Sequence, residues 1–290
     1  VKIQYPLIDE IVKADLTNLK TLVKALLALI TDIEFEPIWR ELRDRLLEEL
    51  DYTHEAANIK RMSALYDEVS EIVIPKVVDE ATARTVLTME FVDGISPSEA
   101  CGDVFGQDLR DRWGQVLADF LLRGLLQHRF LHADPNLANF AFLEDGRVIV
   151  YDFGSVKEVP EGMEKSYAGL FLATAHGKAT EIPEILREMG MFMNDGSSLP
   201  LEGVEPYLEM FGEVLRVDPP YTFGEDEELY QRLFDAGMSN WQYSVDMQFP
   251  EDVIFINRAM GGHFGNLTRL GATGPWRDLV LRHAEAALSG

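Results

Sequence analysis

Asp134, Asn139 and Asp152 are the residues of this chain whose types and spacing could do chemistry. Asn139 follows Asp134 by five residues and Asp152 follows it by eighteen. Asp152 and Asn139 offer hard oxygen ligands of the kind Mg²⁺ prefers, an ion that otherwise keeps waters and phosphate oxygens around it. Asp134 offers a carboxylate able to take a proton from, or orient, an attacking hydroxyl or water. Moving a γ-phosphoryl group from ATP asks for these parts: metal charge against the developing negative charge, and a group that places the nucleophile.

Such residues need elements to hold them. Residues 140–143 and 147–151 read as two short strands, and Glu144-Asp145-Gly146 reads as their turn, with the glycine free to take φ > 0. The order is that of a protein-kinase catalytic loop, H-R-D-x-x-x-x-N, followed by D-F-G. Here it is written His132-Ala133-Asp134 through Asn139, then Asp152-Phe153-Gly154. Asp-Phe-Gly alone reads equally as a turn after a strand; the matched spacing carries the functional reading.

Lys2 sits in an apolar, β-prone stretch at residues 1–6, and a buried ammonium needs a partner. It reads either as an exposed lysine near a chain end or as the strand lysine that holds the α and β phosphates and pairs with a helix glutamate. A helix is expected over about 36–62, opened by Glu36-Pro37. Its second half carries Glu48, Glu49, Asp51 and Glu55, of which Asp51 and Glu55 share a face. An acidic run is usually a solvated face; Glu55 is the expected partner of Lys2.

The helical pattern over 7–32 predicts a helix packed on the core or an amphipathic helix touching a membrane. Strands are expected over 71–78 and 83–92, ending in a connector at 89–94. There the backbone groups of Glu90 and Val92 could bond the edge of adenine. An amphipathic helix over 108–130 delivers the chain to His132, and after Gly154 the chain passes almost directly into a helix at about 163–176. Further helices are expected at 180–192, 203–216, 227–238, 251–261 and 275–288. The expected fold is α+β and two-lobed, like a protein kinase. Residues 1–92 form a small lobe with a partial sheet and inserted helices, and 93–290 form a mostly helical lobe that carries the catalytic loop.

Composition narrows the partners. With 26 Lys and Arg against 50 Asp and Glu, the net charge of −24 excludes a nucleic-acid partner and argues against purely electrostatic docking on anionic lipid. The single Cys101 allows no internal disulfide and fits a reducing compartment. No run of 18 apolar residues occurs, and no Cys/His spacing for zinc.

Ordered motifs add a resemblance. Val-Lys-Ile-Gln-Tyr-Pro at 1–6, Asp15-Leu16-Thr17-Asn18-Leu19, Glu49-Leu50-Asp51-Tyr52-Thr53-His54-Glu55-Ala56, the segment 86–94, the 132–139 loop and Asp152-Phe153-Gly154 together resemble the UbiB family of atypical kinase-like proteins, the AarF-domain kinases. The resemblance is close over about 1–160 and loose beyond.

The resemblance implies an ATP-dependent phosphotransferase or ATPase using ATP and Mg, associated with isoprenoid-quinone (ubiquinone) biosynthesis or lipid homeostasis. It implies a Lys2–Glu55 ion pair, a Glu-x-Asp motif at Glu49 and Asp51, and metal ligation by Asn139 and Asp152. Implied partners are ATP and ADP, with quinone-pathway lipids or proteins and peripheral membrane contact. The implied compartment is a bacterial cytoplasm or the mitochondrial matrix side, not the exterior. The sequence lacks the family's Lys-x-Gly-Gln segment and alanine-rich loop, so it reads as an N-terminally truncated fragment whose isolated activity is in question.

Two departures stand out. The loop is Asp134-Pro135-Asn136-Leu137-Ala138-Asn139 where a common family form is Asp-Pro-His-Pro-Gly-Asn, and Ala133 replaces the arginine that would grip a phosphorylated activation loop. Two other classes stay open: a small-molecule kinase of the aminoglycoside or choline type, which usually follows its Asp-to-Asn loop with an acidic pair, and a non-catalytic nucleotide-binding, lipid-associated scaffold.

Overall fold

The structure is a computed structural model and describes residues 1–8, 10–12, 14–16, 19–20, 39, 43, 50–201, 212–224 and 247–289. Its labelled elements are β1 (Lys2–Ile3), α1 (Tyr52–Leu65), β2 (Ile72–Val73), β3 (Val86–Leu87), α2 (Gln107–Leu126), β4 (Phe130–His132), β5 (Phe140–Phe142), β6 (Val148–Val150), β7 (Val156–Glu158), α3 (Met163–Ala175), α4 (Ile182–Glu188), α5 (Glu251–Leu270) and α6 (Trp276–Ser289). The chain divides into two compact units. One comprises Val1–Asp67, Ile74–Val92 and Asp152–Gly154; the other comprises Glu68–Val73, Asp93–Tyr151 and Ser155–Gly290.

In the first unit, β1 pairs antiparallel with β3, Lys2 opposite Leu87 and Ile3 opposite Val86. The Gln4 N–H donates to the Thr85 carbonyl and the Tyr52 N–H to the Arg84 carbonyl, which ties the start of α1 to the same segment. The single helix expected over 36–62 is not what forms at its C-terminal end. Asp51 is extended, at φ −119° and ψ 95°, and its Oδ1 accepts from the Thr53 N–H at 3.0 Å and the Thr53 hydroxyl at 2.5 Å. A side-chain oxygen that satisfies a free first-turn N–H starts a helix, so α1 begins at Tyr52. Its buried stripe is Glu55, Ala56, Ile59 and Met62, the three-and-four spacing of one helix face. The described residues between 8 and 20 are helical, as the pattern predicts; 21–32 and 44–49 lie outside the described residues.

The strands expected over 71–78 and 83–92 shrink to β2 and β3. Between them Asp79–Ala81 makes a 3₁₀ turn, and threonines compete for the backbone: the Thr82 hydroxyl donates to the Val78 carbonyl at 2.9 Å and the Thr88 hydroxyl to the Ala81 carbonyl at 2.6 Å. One antiparallel bridge, Val77 to Met89, joins the two stretches.

In the second unit, β2 runs parallel to β6 and β6 antiparallel to β5, in the order β2-β6-β5. The β5–β6 turn uses Gly146 at φ +92°, where a Cβ would also come within 2.3 Å of the Arg112 side chain. Helix α2 buries Trp113, Val116, Leu117, Phe120, Leu121 and Leu125, and the Trp113 Nε1–H donates to the Leu143 carbonyl of the hairpin at 2.9 Å. It ends at Leu126 rather than 130, because Phe130 belongs to β4. β4 pairs antiparallel with β7, a strand the sequence does not announce between Gly154 and the next helix. The helix expected over 180–192 is α4 followed by the short strand Phe192–Met193. α5 extends nine residues past the expected 261, to Leu270, where Gly271 caps it at φ 58°. The expected helices over 203–216 and 227–238 fall largely or wholly outside the described residues.

Among the described residues, no helix is long and apolar enough to cross a membrane.

His263, on α5, is fully buried against Phe140, ring centroids 5.9 Å apart, and neither ring nitrogen has a hydrogen-bond partner among the described residues. Burial, then the neighbouring His132, pushes its pKa down to about 3. The unfolded chain therefore binds the proton first, and this group's contribution to stability is full above about pH 6.5 and is lost as pH falls towards 3. The expected slope is at most about 1.4 kcal/mol per pH unit in that window. Urea unfolding at pH 7, 5 and 4 should show a shallower acid loss for His263→Leu than for the wild type; parallel pH profiles would show that His263 does not titrate on unfolding.

Candidate functional site

Lys2, Glu55 and Asp152 meet in the first unit. The Lys2 ammonium donates to Glu55 Oε1 at 3.0 Å and Oε2 at 2.9 Å, and to Asp152 Oδ2 at 2.9 Å. Each element earns its place locally. β1 aims Lys2 across its pairing with β3, and the Gln4 side chain donates to the Leu50 carbonyl at 2.7 Å just before the α1 cap. Glu55 lies one turn into α1, on its buried face, and is 5% exposed. Lys2 also stands 5.1 Å from the Tyr52 ring centroid, a cation–π contact. Burial works against the Lys2 charge, but the hydrogen bonds and charges of Glu55 and Asp152 outweigh it and hold its pKa above the ordinary value. Burial, helped by the Asp152 charge, pushes Glu55 up, while the bonds from Lys2 and from the Phe153 backbone pull it back. The ion pair is the state we favour, because both carboxylate oxygens of Glu55 are engaged by the same cation.

The Asp-Phe-Gly segment is held on the same helix. One turn after Glu55, the Asn58 Nδ2 donates to the Phe153 carbonyl at 3.0 Å, and Phe153 is fully buried. The Gly154 N–H donates to Asp152 Oδ1 at 2.9 Å, and a Cβ on Gly154 would stand 3.3 Å from that oxygen. Sequence reasoning missed Asn58; its spacing of three from Glu55 was the available signal.

Asp134 and Asn139 meet in the second unit. Pairing of β4 with β7, and an Ala133 N–H to Ser155 carbonyl bond of 2.9 Å, set where the loop starts. Asn136 Oδ1 accepts from the Ala138 N–H at 3.1 Å and caps a 3₁₀ turn over Leu137–Asn139. Asp134 Oδ1 accepts from the Asn136 N–H at 3.2 Å, and Oδ2 accepts from Asn139 Nδ2 at 2.8 Å. With Nδ2 spent on Asp134, Oδ1 is the atom by which Asn139 could meet a cation.

The remaining sequence candidates lie elsewhere. The Glu90 N–H donates to the Lys76 carbonyl at 2.8 Å, so that N–H, one of the two backbone groups expected for an adenine edge at Glu90, is already engaged. Val92 is the last residue of its segment in the first unit. Asp51 caps α1 and lies 3.9 Å from Arg84; the Thr53 hydroxyl bond leads the causes that lower its pKa. Glu49 lies outside the described residues.

The donor chemistry fits a nucleotide-borne Mg²⁺ better than an all-protein metal cage. Among the described residues no cluster of three His, Cys, Asp or Glu could hold an ion by itself, whereas Mg²⁺ with phosphates needs only one or two carboxylates or amide oxygens from protein.

Comparison with known proteins identifies the family. Residues 1–186 match the ABC1 atypical kinase-like domain. The chain is 28% identical over 292 residues to "Atypical kinase COQ8, mitochondrial" of Schizosaccharomyces pombe, covering 98% of this chain and 47% of that protein. It is 27% identical over 283 residues to "Atypical kinase COQ8B, mitochondrial" of Danio rerio, covering 97% and 45%. It thus spans about half the length of these curated relatives. Among solved structures, Rv3197 of Mycobacterium tuberculosis, determined in complex with erythromycin, superimposes with a TM-score of 0.78 at 24% identity over 96% of this chain and 68% of that one; at that identity the likeness speaks for the kinase-like fold alone. With the family's domain matched over well over half of its length, the chain belongs to the ABC1 atypical kinase-like (UbiB) family.

Proposed function

We propose that this chain binds Mg-ATP and acts as an ATP-dependent phosphotransferase or ATPase in support of isoprenoid-quinone biosynthesis or lipid homeostasis. The observation that carries the reading is the Lys2 ammonium gripping Glu55 and Asp152 together at 2.9–3.0 Å. A strand lysine fastened to a helix glutamate is the arrangement a kinase-like site needs to hold phosphates. In this reading Lys2 meets the nucleotide phosphates and Glu55 keeps it in place. The Glu90 carbonyl and the Val92 backbone meet adenine, Asp152 and Asn139 supply oxygen ligands to the metal, and Asp134 orients the acceptor hydroxyl or water. Bound Mg-ATP would supply the phosphoryl group and the charge that neutralises it. The matrix side of the mitochondrion is the compartment in keeping with the mitochondrial relatives.

The test is calorimetric. Asp152→Asn should weaken Mg-dependent nucleotide binding while the domain stays folded, since Lys2 retains Glu55. Unchanged Mg-nucleotide affinity in that variant would remove Asp152 from the metal site.

A further inference from the structure

The two peptide carbonyls that flank Asp134 are both held from one stripe of α5. Asn266 Nδ2 donates to the Pro135 carbonyl at 2.8 Å, and Arg258 reaches the Ala133 carbonyl at 3.5 Å. Between them on the same stripe lies Gly262. A Cβ there would fall 2.0 Å from Pro135 Cγ and 2.5 Å from its Cβ, so the proline ring rests directly on the helix backbone. Positions 258, 262 and 266 recur every four residues, which on a helix makes one continuous row.

The helix that offers this row is itself fixed. Asn257 Oδ1 accepts from the Tyr167 hydroxyl at 2.9 Å, and Lys157 of β7 pairs with Asp252 at 3.1 Å. Asn266 is 4% exposed and its partner is a loop carbonyl rather than a helix group. A buried amide spent on a distant main-chain oxygen costs solvation that a leucine would not, and Gly262 costs helix propensity that an alanine would not. Both choices lower the intrinsic stability of α5, and both seat the loop that carries Asp134.

We infer that Asn266 and Gly262 are positioning residues for the catalytic loop: they set where the Asp134 carboxylate sits without touching substrate themselves, with Arg258 as a weaker third hold. The inference rests on the role of Asp134 in the proposed activity. A base or orienting group must sit within a few tenths of an ångström of its working place, and a misplacement of about 1 Å can cost on the order of 100-fold.

The test measures turnover, nucleotide affinity and amide hydrogen exchange in the same variants. Asn266→Leu removes the donor and keeps the bulk. Gly262→Ala presses a methyl on Pro135. Both should lower kcat about tenfold or more, leave the Mg-ATP dissociation constant within about twofold, and speed exchange of the backbone amides of residues 136–140, with the rest of α5 unchanged. Asn266→Gln, which keeps an amide donor, should recover part of the loss. Arg258→Ala, at an exposed position, tests the same row without risk to folding and should give a smaller change of the same kind. Exchange at 136–140 unaltered in folded Asn266→Leu and Arg258→Ala would overturn the inference. So would a fall in kcat that merely tracks the folded fraction. A wild type without turnover would instead sink the proposed activity, and the exchange comparison would still decide whether these residues position the loop.

Discussion

Asp134→Asn is expected to lower turnover by about 10²–10⁴-fold, the usual span for loss of a general acid–base group, while nucleotide binding persists. The substitution keeps the size of the side chain, and its amide oxygen can still accept from the Asn136 N–H as Asp134 Oδ1 does at 3.2 Å. It cannot take a proton. One atomic change reaches further: an amide nitrogen in the place of Oδ2 would face the Asn139 Nδ2 that now donates to it at 2.8 Å. Two donors repel, so one of the amides must turn. If Asn139 turns, its oxygen leaves the place from which it would meet the metal. Affinity should therefore be measured with and without Mg²⁺, and turnover compared at saturating Mg-ATP. A loose, metaphosphate-like transition state would put the loss near the lower end, since positioning then counts for more than proton removal. Equal turnover by wild type and variant would take Asp134 out of the mechanism, and no turnover by either would favour a nucleotide-binding scaffold.

The second large effect concerns the ion pair, and its two halves should not be equivalent. Lys2→Ala leaves Glu55, 5% exposed, without its cation and beside the like charge of Asp152. Stranding one partner of a buried pair typically costs roughly 3–5 kcal/mol; because the Lys2 side chain is itself 37% exposed, about 3 kcal/mol is the expected ceiling here. Glu55→Ala should cost less, because Lys2 keeps Asp152 at 2.9 Å and can reach water. Both variants should weaken nucleotide binding, the first by removing the phosphate-binding charge and the second by letting that charge wander. Urea unfolding with parallel nucleotide titration checks the order. A Glu55→Ala variant less stable than Lys2→Ala would mean that Glu55 supports α1 by packing rather than by charge.

Residue types and short-range spacing were enough to name Asp134, Asn139 and Asp152, because the hairpin between them is local. Two strands and a turn at Gly146, φ +92°, are dictated by neighbours in sequence. The buried stripe of α2 was equally legible, since its apolar side chains repeat with the helix period. Lys2 and Glu55 are 53 residues apart, and no periodicity links them; motif order named the pair, and what draws the two side chains together is the pairing of β1 with β3 and the packing of α1. Boundaries were less legible. Asp51 reads in the sequence as a member of an acidic helical run, and its extended backbone and the Thr53 bonds make it a helix cap instead. The row on α5 could not be read at all. Asn266 and Gly262 follow Pro135 by more than a hundred residues, and an asparagine and a glycine in a helix announce no partner. Their meaning arises when the folded chain lays the Pro135 ring on Gly262, a helix position without a side chain, because a close approach between distant backbones is a property of the tertiary fold and leaves no local period in the sequence.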